Sequence, residues 1–321
     1  QFKNGDYEWM QEFLKIVKSI NDNHRRYPNF VQNTQDLLQH YKEEIKQTMS
    51  NDSIFHLFED NKLLVHFLLK NNIITMTSTI SSYMMKKYEI NGNRYCHFFY
   101  PELDHFLGEE KMEDVKKELL NKDPDIFDKY EIKRQEGEND SVICSMIRRD
   151  SVEEFISHVT CNNYSLSSQL TSSIFETNPF LINQKNITLI EYSAFFGSIQ
   201  IFQYLKMNGV ELTPSLWLHV IHSKNAELIH ILEMNNVCPP KFENPNKKEE
   251  INYSNNDYLR CFIESIRCHH KDFTDYIENN LMFLDENNST IKELIISNCI
   301  QYHNYYYFET ESIKDHGFYY L

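Results

Sequence analysis

Glycine and proline are scarce, 7 and 8 in 321 residues. Multi-stranded β folds need turn glycines, so the shortage points to an all-α chain. It also leaves no G-x-G-x-x-G and no P-loop string, removing the glycine-rich phosphate cradles. Basic charge is short as well: 32 Lys and Arg stand against 47 Asp and Glu, for a net charge of −15. Lys62, Lys70, Lys86 and Lys87 are scattered, and Lys247–Lys248 is followed at once by Glu249 and Glu250. Such a chain repels phosphate backbones, so no nucleic-acid partner is expected. No apolar run approaches the roughly 18–20 residues needed to span a bilayer, so no membrane partner is expected either. The seven cysteines are odd in number and form no paired framework. Together with the lack of a visible secretion signal, that predicts reduced thiols in the cytoplasm.

What is present is helical patterning. Trp9, Phe13, Ile16, Val17 and Ile20 fall on one face of a helix over residues 6–20. Residues 21–29 read as a polar turn ending at Pro28. A second helix is expected over residues 30–49, with Leu37, Leu38, Tyr41 and Ile45 inward. Residues 54–69 give a short helix, an Asp60–Asn61 interruption and a second helix. Another helix is expected within residues 73–87, followed by a turn at Gly92. Residues 102–138 are heavily charged and read as a mostly solvated connection with one short helix over residues 111–120. The chain thus divides into an N-terminal helical region (1–90), a charged connection (91–140), a repeat region (141–283), and a C-terminal helix with a tyrosine-rich tail (284–321).

The repeats are clearest at residues 188–210, TLIEYSAFFGSIQIFQYLKMNGV. Thr188 and Glu191 have the spacing of a capping box, in which each side chain satisfies a backbone N–H that the helix start leaves free. Gly197 suits the left-handed residue that closes this helix, Ser198 can cap the next, and Asn208–Gly209 is the second stop. Ser215 follows Thr188, and Lys224–Asn225 follows Gly197–Ser198, by the same 27 residues. Leu228, Ile229 and Leu232 then stand where Ile201, Phe202 and Leu205 did. Ser141 and Asp150 precede Thr188 and Gly197 by 47, with a second capping box at Ser151 and Glu154. Downstream, residues 261–277 match 216–232 at an offset of 45. Polar inserts at 162–186 and 239–257 account for the longer spacings. A helix over residues 291–300 follows. A unit that recurs in tandem cannot bury its apolar face alone and must stack on its neighbours, which argues for a binding array and against an enzyme.

These residues resemble the ankyrin repeat. Thr188, Leu189, Ile190, Glu191, Tyr192, Ser193 and Ala194 align with its first helix. Gly197, Ser198, Ile201, Phe202, Leu205, Gly209 and Val210 follow the remainder of the pattern. Leu189 stands in place of the family's proline, and Glu191 in place of the histidine that ties neighbouring turns. The 27-residue period, against about 33, implies truncated fingers. With residues 23–33 and 214–232, the chain is similar to the degenerate ankyrin-like class of unknown function expanded in flagellated protists. The resemblance implies an ankyrin-like α-solenoid of stacked helix–turn–helix repeats that binds protein without catalysis. In such stacks the two residues before the inter-helix turn face the concave groove. Here these are Arg148 and Arg149, Phe195 and Phe196, and His222 and Ser223, with Arg267 and Cys268 as a weaker fourth row. Arg and aromatic side chains are enriched at interface hot spots. The other reading of the phenylalanines is that they pack on the next repeat.

Other chemistry is less well supported. His219 and His222 lie three apart on a helix, close enough to share a metal, but no third ligand recurs at suitable spacing. Cys268, His269 and His270 with Cys261 invite a zinc reading. Cys261 aligns with the core position Leu216, however, and free cysteine commonly behaves as a small buried hydrophobe. Trp9 and Trp217 read as core residues, and the acidic pairs Glu153–Glu154 and Glu249–Glu250 as solvated faces or helix starts. The expectation is a scaffold with no metal and no cofactor, binding one protein partner through its groove. The alternative is a structural, self-associating segment of a larger array, with residues 6–87 mediating association.

Overall fold

The computed structural model describes residues 4–24, 28–89, 92–240, 258–282 and 289–304. Twenty helices and no strand occur among them. The first ten are α1 (Asn4–His24), α2 (Pro28–His40), α3 (Lys42–Thr48), α4 (Asn51–Phe58), α5 (Lys62–Lys70), α6 (Ser78–Lys86), α7 (Tyr95–Phe98), α8 (Tyr100–Leu107), α9 (Glu109–Lys122) and α10 (Tyr130–Glu136). Then come α11 (Val142–Arg148), α12 (Val152–Cys161), α13 (Pro179–Ile182), α14 (Leu189–Phe196), α15 (Ile199–Met207), α16 (Leu216–Ser223), α17 (Ala226–Met234), α18 (Leu259–Arg267), α19 (Lys271–Asn280) and α20 (Ser289–Gln301). They fall into two compact units: residues 1–145 with 169–187, and residues 146–168 with 188–321.

In the first unit, α1 is rotated from the face expected of it. Met10, Leu14, Val17 and Asn21 are buried, whereas Trp9 is 59% exposed and stacks on the half-buried Phe13 at 5.5 Å. Trp9 is therefore not a core residue. The second expected helix is broken at Tyr41 into α2 and α3; Leu38 and Ile45 point inward, while Leu37 is exposed. Asn21 to His24 belong to α1 rather than to a turn, and residues 25–27 lie outside the described residues.

Residues 102–138, expected to be mostly solvated, bury Leu103, Met112, Val115, Leu119, Tyr130 and Arg134. The Arg134 guanidinium grips Glu102 with two bonds of 2.6 and 2.8 Å and donates to the carbonyl of Phe98. The charge run thus hides an apolar stripe at helical spacing. The insert at 162–186 likewise places Ile174 and Phe175 in the core of this unit, where Lys62, itself buried and ion-paired to Glu89, donates to the carbonyl of Ile174.

The second unit is built of helix pairs. The pairs α14–α15, α16–α17 and α18–α19 each pack internally, and α14 lies on α16, α16 on α18, and α18 on α20. Residues at one position of every pair have a left-handed backbone: Asp150, Gly197, Lys224 and His269, then His303 after α20. Asp150, Gly197, His269 and His303 donate backbone N–H three residues back, and the following residue donates five back, which satisfies the carbonyls a helix end leaves free. Position 197 is where the constraint bites. A Cβ there would lie 3.5 Å from Ser223, in tolerable contact, but φ is +71°, a conformation glycine adopts without penalty.

Capping is partly as expected. The Thr188–Glu191 box forms, with the Thr188 N–H donating to Glu191 and the Glu191 N–H to Thr188. Ser151 and Ser198 make no side-chain cap. Glu154 pairs with Arg149 instead, and α15 is capped from the preceding pair, where both oxygens of Asp150 accept from the N–H groups of Gln200 and Ile201 at 3.0 Å. The insert at 239–257 lies almost wholly outside the described residues, as does the tail after Asn304.

Candidate functional site

One position ties successive pairs together. Ser198 donates to the carbonyl of Ile147, His270 to that of Ile221, and Asn304 to that of Ile266. In each case the residue opening the second helix, or following the turn after α20, reaches the carbonyl three residues before the previous pair's left-handed turn. Asn225, at the equivalent place, reaches the Gly197 carbonyl. Glu191 adds a second tie by accepting from Ser215 at 2.5 Å. The carboxylate thus joins neighbouring pairs. The outer helices are joined by Gln203 to Glu227 and by Tyr276 to Glu233.

The six residues expected to face a groove lie along this row, but not all at its surface. Phe195 is fully buried, and its ring packs on His222 at 5.2 Å. Phe196 is half-buried against Tyr192 and Phe195. Arg148 is half-buried and donates to the Tyr192 hydroxyl at 3.0 Å. Arg149 is exposed and paired with Glu154. His222 is buried and bonded to Glu264 at 2.7 Å. Ser223 is half-buried and donates to the carbonyl of Val220. The row is therefore continuous, from Arg148 through Tyr192, Phe196, Phe195 and His222 to Glu264, and Arg267 stands beside Glu264 with its guanidinium over the Tyr302 ring. Its inner members, Phe195 and His222, are packing residues. Arg148, Arg149, Phe196 and Ser223 retain solvent access.

Neither metal pairing weighed from the sequence forms. His219 is buried and bonded through Nδ1 to the Ser215 carbonyl, so both histidines of the 219/222 pair are interior. Cys261 is a core thiol, while His269 and His270 bond to the carbonyls of Tyr302 and Ile221. A different trio, His222, Glu264 and Cys268, does converge, with its ligand-type atoms within 4.8 Å of one another. Burial alone would push the Glu264 carboxyl up, but the His222 hydrogen bond and the nearby charges of His222 and Arg267 hold it below the ordinary carboxylate value. Burial, then Glu264, keeps the Cys268 thiol protonated well above its usual range. Glu264 was the residue missed by sequence reasoning. The available signal was its spacing of four from Cys268, which puts both on one face of α18 and its cap.

Compared with known protein families, curated proteins and solved structures, the chain matches none.

Proposed function

We propose that the helix pairs from α11 to α20 are a degenerate ankyrin-like α-solenoid with truncated fingers, acting in the cytoplasm as a non-catalytic scaffold that binds another protein. The observation that carries this reading is the recurrence, pair after pair, of the left-handed turn residue and of the tie from the next pair to the same backbone carbonyl. Stacks held by nearest-neighbour contacts leave one long flank free for a ligand. On that flank Arg148, Arg149, Phe196 and Ser223 contact the partner, and Phe195 and His222 hold them in place from beneath. A half-buried phenylalanine stacked on the tyrosine that Arg148 contacts has the chemistry of an interface hot spot.

The test is affinity capture with the full chain, identification of the retained protein, and measurement of its binding as a purified component. Phe196→Ala and Arg149→Glu should each weaken binding by about tenfold or more, in keeping with hot-spot residues, at unchanged helicity. Retention of no protein, or binding indifferent to both substitutions, would sink the proposal. Concentration-dependent oligomers in light scattering, with no outside ligand, would favour the self-associating alternative, for which exposed Trp9 is the natural contact.

A further inference from the structure

Two neighbouring helices of the second unit bring together three side chains of different donor chemistry. His222 lies near the end of α16, Glu264 lies in α18, and Cys268 caps α18 one turn later. His222 Nε2 is 2.7 Å from Glu264 Oε1, and Cys268 Sγ is 3.5 and 3.7 Å from Nδ1 and Nε2. In a tetrahedral site with metal–ligand bonds of about 2.0–2.3 Å, the donor atoms stand roughly 3.3–3.7 Å apart. The sulfur–nitrogen separation already lies in that range. The nitrogen–oxygen pair must open by roughly 0.6 Å, and rotation about the Cys268 side chain must aim its sulfur.

Charge favours the same reading. A thiolate and a carboxylate supply two negative charges and a neutral imidazole none, so a divalent cation neutralises the three ligands, while the half-buried Arg267 keeps its own charge. Bare charge in a buried site is costly; a neutral cluster is not. Sulfur, nitrogen and oxygen donors together suit zinc and its neighbours rather than magnesium or calcium. Phe195 packs against the imidazole and fixes its plane. Arg267 lies 3.6 Å from Glu264 Oε1 and competes with a cation for it, but the guanidinium also rests over the Tyr302 ring.

We propose that His222, Glu264 and Cys268 bind one divalent transition-metal cation of the zinc class, clamping α16 to α18. Binding replaces the His222–Glu264 hydrogen bond. The proton with which Nε2 donates to Glu264 leaves to solvent, so the imidazole coordinates through Nε2 as the neutral ring with its remaining proton on Nδ1; Glu264 coordinates as the carboxylate it already is, and the Cys268 proton also leaves to solvent. Phe195 and His222 also support the partner surface from beneath, but metal binding at this site requires no partner on that surface.

The test loads the purified, reduced full chain with cobalt(II) and, separately, zinc(II). The readouts are bound metal after dialysis and the thiolate-to-cobalt charge-transfer absorption in the near ultraviolet. About one metal per chain is expected, with the thiolate band. Cys268→Ser should abolish the band, and Glu264→Gln should weaken binding about tenfold or more. Cys161→Ser with Cys238→Ser, which removes the two exposed thiols, should leave both readouts unchanged. If Cys268→Ser loses helicity, Glu264→Gln, which keeps side-chain size and the thiol, decides by its affinity. Failure to retain either metal, a band that survives Cys268→Ser, or a band lost with the exposed thiols would overturn the proposal.

Discussion

Replacing Phe195 and Phe196 one at a time separates packing from recognition. Phe195 is fully buried between α14 and α16, whereas its neighbour is only half-buried. Truncating a buried phenylalanine to alanine costs about 3–5 kcal/mol, against a total domain stability of about 5–15 kcal/mol. Scaled to its smaller buried surface, Phe196→Ala should cost about 1–2 kcal/mol. The chain has two tryptophans, one in each unit: Trp9, largely exposed, and Trp217, fully buried and bonded to the Val237 carbonyl. In a Trp9→Phe background, Trp217 fluorescence reports the second unit alone. Urea unfolding followed by that signal should show a large drop in midpoint for Phe195→Ala and a small one for Phe196→Ala. Because coupling in stacked pairs runs between neighbours, the loss in Phe195→Ala should also broaden the transition. A cost below about 1 kcal/mol for Phe195→Ala, or a larger cost for Phe196→Ala, would refute the assignment of Phe195 to the core.

Asp150→Ala removes both capping acceptors of α15 and leaves alanine in a left-handed conformation, so the second unit should lose about 2–3 kcal/mol in the same assay. Arg134→Ala strips the buried partner of Glu102 and should destabilise the first unit by about 3–5 kcal/mol in calorimetry. Burial holds His219 and His269 below the usual 6.5. The unfolded chain therefore takes up protons first as pH falls, and the stability of the second unit should drop below pH 6.5 in pH-resolved melting. In the first unit, burial raises the Glu131 carboxyl, but bonds from Gln135, Arg134 and Lys70 bring it down to about 2. Its contribution is present above 4.5 and lost as pH falls toward 2. A thiol reagent should modify Cys161 and Cys238 in the native chain and the five buried cysteines only after denaturation.

Helical content and the positions of the paired helices were legible because few glycines, capping spacing and apolar recurrence all pointed one way. The Thr188–Glu191 cap and the Gly197 turn followed from local rules that need no tertiary knowledge. What escaped was decided by partners distant in sequence. The α1 face turned because Met10 and Leu14, not Trp9, meet the other helices. Ser198 abandoned its expected capping role because the Ile147 carbonyl, 51 residues earlier, needed a donor more than its own helix did. Phe195 and Phe196 are chemically identical and adjacent, so only the position of α16 could distinguish core from surface. Glu264 became visible only once α16 and α18 stood side by side.

The proposed function requires helix pairs stacked in one direction, and the last residues of their outer helices measure that directly. Cys161, Met207, Met234 and Asn280 end α12, α15, α17 and α19, and all are exposed. Spin labels can be placed on Cys161 and on cysteines substituted at the other positions, with Cys238 changed to serine, and their separations read by dipolar spectroscopy. With helices about 8–10 Å apart, the account predicts separations from Cys161 that grow layer by layer, reaching roughly 25–30 Å at position 280. A Cys161-to-280 distance no longer than the Cys161-to-234 distance would mean a closed bundle and would contradict the account.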